Sequence, residues 1–217
     1  MTTQTAAAPP RRRMTIDEYL RFEFDAEYKH EYANGEIIDK TGSTGEHSLI
    51  AANLGGELGN ALKGKPCRVY DSNLRVRIHN KAFYHYPDLQ VICGEIQHDP
   101  DDHRHMSALN PRLIVEVLSP STEAYVRGNK FRRYREIPSL REYVLVSQSE
   151  ALVETFFLQE DGTWALATFQ GIEAAARFRA TDVTVPLTEI FAGVTFDIPE
   201  EADEAKKSSS GNEPEEQ

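Results

Sequence analysis

The chain has 217 residues, a formal net charge of −11, and 40% hydrophobic and 9% aromatic residues. That length and composition suit one globular domain able to bury a core of its own. The acidic balance argues against a broad basic surface for non-specific nucleic-acid binding, and no apolar stretch approaches the ~20 residues of a membrane span. Cys67 and Cys93 sit in strand-like runs and in no metal or redox motif. They predict reduced thiols in a reducing compartment. No apolar segment follows the basic residues near the N-terminus, so the expected location is the cytoplasm.

Residues 1–13 read as a disordered arm, 14–198 as a single domain and 199–217 as a disordered acidic tail. The Arg11–Arg13 trio is read as part of a mobile solubilising arm. Thr15 and Glu18 have capping-box spacing, which predicts a short helix through about Phe24. Asn34-Gly35 between β-compatible runs predicts a hairpin. Leu49, Ile50, Leu54, Leu58 and Leu62 fall at helical spacing over 46–62, and Gly64-Lys65-Pro66 ends that helix. Strands are expected within 67–78, over 87–93 and over 113–118. The Asp/His-rich stretch between the last two, 98–105, lacks fixed ligand spacing and reads as a solvated loop. Ser119 to Thr122 form a turn, in which Ser121 or Thr122 caps a helix running to Ile137. A strand over 142–147, a hairpin around Glu160-Asp161-Gly162 and a last strand-like piece before Leu187 complete the chain. Helix, strands, helix, strand in this order predict a mixed α/β domain with helices flanking a sheet.

Three ionisable residues do not fit a plain core. Leu113 to Leu118 is a continuous apolar run of the kind found in strands covered on both faces, yet Glu116 sits within it. An unpaired carboxylate there would cost several kcal/mol, so a cation is expected beside it. Asp88 opens a second apolar strand just after Pro87, and adjacent strands lie ~4.8 Å apart, so both acids could reach one ion. Val126, Lys130, Tyr134 and Ile137 share one helix face, and the apolar members mark it as the inward one. Lys130 is thus a countercharge pointing at the two acids. A metal-dependent phosphodiesterase would use such a set. A buried Glu116–Lys130 salt bridge with Asp88 capping the strand edge is the alternative. Tyr134 is read as core packing, and Arg127, Arg132, Arg133 and Arg135 as either phosphate contacts or a solvated face.

From Glu31 to Gln148 the chain resembles the Uma-two family, a domain of unknown function grouped with endonucleases in the PD-(D/E)XK restriction-endonuclease-like superfamily. The residues that carry the likeness are Tyr32-Ala33-Asn34-Gly35-Glu36, His47 opening a helix, Tyr86-Pro87-Asp88 and Ile114 through Thr122. Lys130, Tyr134 and the run from Ile137 to Tyr143 complete it. The resemblance implies a restriction-endonuclease-like α/β core, with a mixed central sheet flanked by helices, an N-terminal hairpin and a C-terminal β extension. It implies Asp88 and Glu116 as ligands of Mg²⁺ or Mn²⁺, DNA as substrate and a homodimer. The superfamily pattern puts a lysine two residues after the strand acid, where this chain has Leu118, and the likeness makes Lys130 the substitute. Glu31 and His47 join the candidate catalytic set on the same ground. The function implied is a metal-dependent endonuclease hydrolysing DNA phosphodiester bonds. Its rivals are a non-catalytic binding or scaffold protein on the same fold and a hydrolase of another phosphoester.

Overall fold

The computed structural model describes residues 13–40, 42–78, 82–120 and 122–196. Residues 1–12 of the expected arm, the expected acidic tail and Ser121 lie outside them. Thr15 and Glu18 close the expected capping box on α1 (Ile16–Asp25), each side chain accepting the other's backbone N–H. The hairpin forms as β1 (His30–Ala33) and β2 (Glu36–Asp39). Its tip, Asn34-Gly35, takes positive φ at both positions, 51° and 96°, as a two-residue turn matched to strand twist demands.

The apolar stripe of 46–62 becomes α2 (Gly45–Ala61), capped by Thr44, whose hydroxyl accepts the His47 N–H. Then follow β3 (Cys67–Asp71), β4 (Arg75–Ile78), β5 (Phe83–His85), β6 (Leu89–Cys93), β7 (Ser107–Ala108) and β8 (Leu113–Leu118). The next helix is not regular. It runs as α3 (Glu123–Tyr125), a π-turn over Val126–Lys130 and α4 (Phe131–Tyr134), with the Phe131 N–H reaching the Val126 carbonyl five residues back. Thr122 precedes it without a side-chain cap bond. The chain closes with β9 (Glu142–Ser147), β10 (Leu152–Leu158), β11 (Trp164–Gln170), β12 (Ala175–Phe178), β13 (Val183–Pro186) and α5 (Leu187–Ile190).

The strands make two sheets and a separate hairpin, β12–β13. The central sheet runs β11-β10-β9-β8-β6-β3, antiparallel except for the parallel β8–β9 pair. The N-terminal hairpin belongs to a second sheet, β2-β1-β5-β4-β7. Alternation along β8 settles what lies on each face. Leu113, Val115 and Val117 pack with Ile50, Leu54 and Leu58 of α2 and with the C-terminal elements. Ile114 and Leu118 face Tyr134, Ile137 and Val76 on the other side, and Glu116 shares their parity. Among the described residues, strand β11 is an open edge of the central sheet. The bonds Gln159 N–H to Thr163 and Gly171 N–H to Ala151 fix which residues point at β10. The backbone groups of Trp164, Leu166, Thr168 and Gln170 therefore face outward.

Two further expectations fail. Cys67 and Cys93 are not free thiols: they are opposite partners in the β3–β6 register and form a disulfide. The reading of a reducing compartment loses that support. The 98–105 loop is not simply solvated. Asp99 and Asp102 are buried, Asp102 paired with Arg75 at 2.9 Å, and Asp99 with Arg77 and with the Tyr84 hydroxyl at 2.6 Å. These pairs tie the loop to β4 and β5. No helix among the described residues is long and apolar enough to cross a membrane.

The disulfide closes a stretch of 26 residues. Reducing it is expected to lower unfolding stability by about 3 kcal/mol, read as a drop in the urea midpoint with and without reductant. An unchanged midpoint would show that the link carries no stability.

Candidate active site

The β6–β8 ladder ends with Leu89 opposite Val115, and Asp88, one residue before β6, stands next to Glu116, the neighbour of Val115 on β8. Pro87 cannot donate to a ladder, and the Val117 N–H turns to Asp88 Oδ2 at 2.8 Å instead. Both carboxylates share the face of the sheet that looks toward β1 and the irregular helix. From that helix Lys130, 5% exposed, reaches Glu116 Oε1 at 2.9 Å and Glu31 Oε1 at 3.0 Å. The π-turn ends at Lys130, and Val126, Tyr134 and Ile137 stay buried beside it as the face argument expects.

Each acid has further partners. Glu31, on β1, accepts the Tyr86 N–H at 3.2 Å and bonds His85 Nδ1 at 2.8 Å. Glu116 accepts the Tyr134 hydroxyl at 2.9 Å, so Tyr134 is more than packing. Asp88 is ringed by Lys40 Nζ at 3.2 Å on Oδ1 and His47 Nε2 at 3.1 Å on Oδ2. All five expected site residues, Glu31, His47, Asp88, Glu116 and Lys130, thus line one cleft of about 390 Å³, together with Lys40, Thr44, Tyr125 and Gln148. The buried Glu116–Lys130 bridge and the strand-edge bond of Asp88 named as the alternative are also present.

Burial pulls every carboxylate here upward, and the neighbours decide the outcome. For Asp88, bonding to His47 and the Lys40 charge win and hold it well below the usual range. For Glu31, Lys130 and His85 do the same. For Glu116, burial and the nearby Asp88 charge outweigh Lys130, and its pKa rises to about 6. Burial alone would push Lys130 down, but Glu116 and Glu31 hold it far above its ordinary value. Lys130 is a fixed cation, and Glu116 is the acid that titrates.

Sequence reasoning missed Lys40 and His85. Lys40 gave no signal beyond following the hairpin, and His85 was hidden in the aromatic run from Phe83 to Tyr86. The arginines of the irregular helix are committed within the chain: Arg127 to Glu123 and Glu154, Arg132 to Asn129, Arg133 to Phe83 and the Tyr125 hydroxyl, and Arg135 to the Phe131 ring.

Asp88 and Glu116 offer hard oxygens from neighbouring positions of one sheet, and the contacts of Glu116 with Lys130 and the Tyr134 hydroxyl both fall on Oε1. That suits a cation such as Mg²⁺, which keeps several waters. It is not a closed cage, since no three His, Cys, Asp or Glu side chains form a metal-ready group among the described residues.

A family model described as "Putative restriction endonuclease" (Uma2) matches residues 16–198. Two uncharacterised proteins of Synechocystis sp. are similar. The protein slr1290 is 34% identical over 185 residues, 85% of this chain and 94% of that one. The protein sll1609 is 34% identical over 165 residues, 76% and 92% of the two chains. The fold is shared with a crystal structure from Anabaena variabilis described as a "putative nuclease belonging to DUF820". Its TM-score is 0.67 at 20% identity, covering 84% of this chain and 99% of that one.

The charge pattern gives a pH-dependent expectation. Lys130→Met leaves Glu31 and Glu116 buried without their ammonium. It should cost about 3–5 kcal/mol in urea unfolding at pH 8. The loss should shrink at pH 5, where the carboxylates can take up protons. Glu116→Gln should act oppositely. In the wild type the raised Glu116 pKa favours the fold fully below its ordinary value of 4.5, and that gain is lost as pH rises through 6. The glutamine variant should lack that decline. A Lys130→Met loss of equal size at both pH values would contradict this account.

Proposed function

The chain belongs to the Uma2 family, whose description is "Putative restriction endonuclease", and from that premise we propose a metal-dependent nuclease that hydrolyses DNA phosphodiester bonds. Asp88 and Glu116 would hold Mg²⁺ or Mn²⁺ from their facing strands. When bound, the ion would lower the pKa of the attacking water and neutralise phosphate charge. The remaining work falls to the chain. Lys130 presents an ammonium that Glu116 and Glu31 hold far above its ordinary pKa, and it would sit where negative charge develops on the phosphoryl group. Glu31 fixes that ammonium, and His85 and the Tyr86 N–H fix Glu31. His47 orients Asp88 from the first turn of α2. The phosphorus would gain a bond to the water oxygen and lose one to the leaving-strand oxygen, which takes up the proton that the water gives to solvent. The single observation that supports the reading most is that three buried carboxylates and a buried ammonium open on one cleft.

A non-catalytic scaffold is the second reading. It is favoured by Lys40 and His47 on Asp88 and Lys130 on Glu116, so that the chain's own groups already satisfy both acids. The nuclease reading also carries a homodimer, so that two clefts meet two strands, which sedimentation would measure.

Supercoiled plasmid incubated with Mg²⁺ or Mn²⁺ separates the two. The wild type should nick or linearise it, and Asp88→Asn should lose at least about a hundredfold in rate, the scale of removing one charge-stabilising group. Equal rates in both proteins, or no cleavage by the wild type with either metal, would leave the scaffold.

A further inference from the structure

Lys40 is the one ammonium of the cleft that the proposed chemistry does not use. It follows β2 and spans two partners, the Tyr86 carbonyl at 2.6 Å and Asp88 Oδ1 at 3.2 Å. Its backbone N–H is anchored separately on the Lys29 carbonyl at 2.9 Å, so the side chain can move without the hairpin moving. Lys130 is different in kind. It is almost fully enclosed and held by two carboxylates, whereas the Lys40 side chain is 21% exposed and holds one.

We propose that Lys40 is a positioning residue that serves as the resident counter-cation of Asp88 and yields its place when a divalent ion enters the cleft. The inference rests on reading Asp88 and Glu116 as the metal holders. Charge balance carries it. With the imidazoles set aside, the cleft sets three buried carboxylates, Glu31, Asp88 and Glu116, against two ammoniums, Lys40 and Lys130; the fourth carboxylate of the lining, Asp39, is 83% exposed and its charge is screened by solvent. Adding a divalent ion to that set puts four positive charges against three negative ones. Letting Lys40 swing into solvent restores three against three, and it frees Oδ1, the Asp88 oxygen that the Val117 N–H and His47 do not occupy. Lys130 cannot make that exchange, because its departure would strand two buried acids. The released ammonium stays tethered at the cleft wall formed by Ile38, Asp39 and Thr44. There an anionic phosphodiester would meet it only after the metal has bound.

The measurement is calorimetric titration of the full chain with Mn²⁺ alone at fixed ionic strength, comparing wild type, Lys40→Met and Lys40→Arg. Lys40→Met keeps the aliphatic stem without the charge and should bind Mn²⁺ about tenfold more tightly, the size of a typical coupling between sites. Lys40→Arg should stay within a few-fold of wild type. Lys40→Gln gives the same comparison if the methionine variant does not fold, since its amide can still reach the Tyr86 carbonyl. Mn²⁺ should also raise the melting temperature of Lys40→Met more than that of wild type. If wild type binds Mn²⁺ and the neutral variants bind no more tightly, Lys40 is a structural tether, and the metal site stands without it. If no variant binds at millimolar Mn²⁺, the metal reading fails and this proposal falls with it.

Discussion

One ammonium, that of Lys130, holds this structure's two sheets in register around the cleft. Glu31 lies in the five-stranded sheet, Glu116 in the six-stranded sheet, and Lys130 on the irregular helix that also packs against both. None of the three could be buried alone, because an isolated charge in such surroundings costs several kcal/mol. Together they satisfy one another, with Tyr134, His85 and the Tyr86 N–H adding hydrogen bonds to the acids. The cleft exists because that knot holds its three walls at a set spacing. Asp88 then completes it from the next strand, bonded to the Val117 backbone rather than to the knot.

Much of this was legible in the sequence where a residue breaks a strong local pattern. Glu116 stood out because the run around it is apolar on both sides, and Lys130 because Val126, Tyr134 and Ile137 mark its face. Asn34-Gly35 gave the hairpin. What stayed hidden depends on partners distant in sequence. Asp99 and Asp102 read as solvated because Arg77 and Arg75, which bury them, come from a strand more than twenty residues earlier. Cys67 and Cys93 read as free because their bond needs the β3–β6 register, which no local pattern states. Lys40 has no local peculiarity; its position next to Asp88 arises only when β2 is laid beside the start of β6. The π-turn escaped because one wide turn leaves the apolar face of the helix intact.

The site is acidic within an acidic chain, and this shapes how it could meet a polyanion. A net charge of −11 repels nucleic acid at long range, so attraction has to come from local groups acting within about a Debye length, ~10 Å at 0.1 M salt. On the irregular helix, Arg133 and Arg135 are held on aromatic rings and Arg127 on two glutamates. Recognition by such a surface is short-ranged and depends on what occupies the cleft.

The open edge of the central sheet bears on how the molecule behaves in company. Strand β11, Trp-Ala-Leu-Ala-Thr-Phe-Gln, has no charge, proline or glycine along its seven residues, and Leu166 on it is 54% exposed. Proteins usually blunt such edges with lysines, bulges or a covering loop. Here, among the described residues, no strand pairs with that edge, and its sequence places no like charges opposite one another if it meets another copy edge to edge. What keeps copies apart is then the repulsion of the whole acidic molecule, a force that salt weakens and that vanishes near the isoelectric point of about 5.1. Colloidal stability in this protein is a property of its net charge, not of its edges, and mildly acidic, salty solutions are where sheets would begin to join.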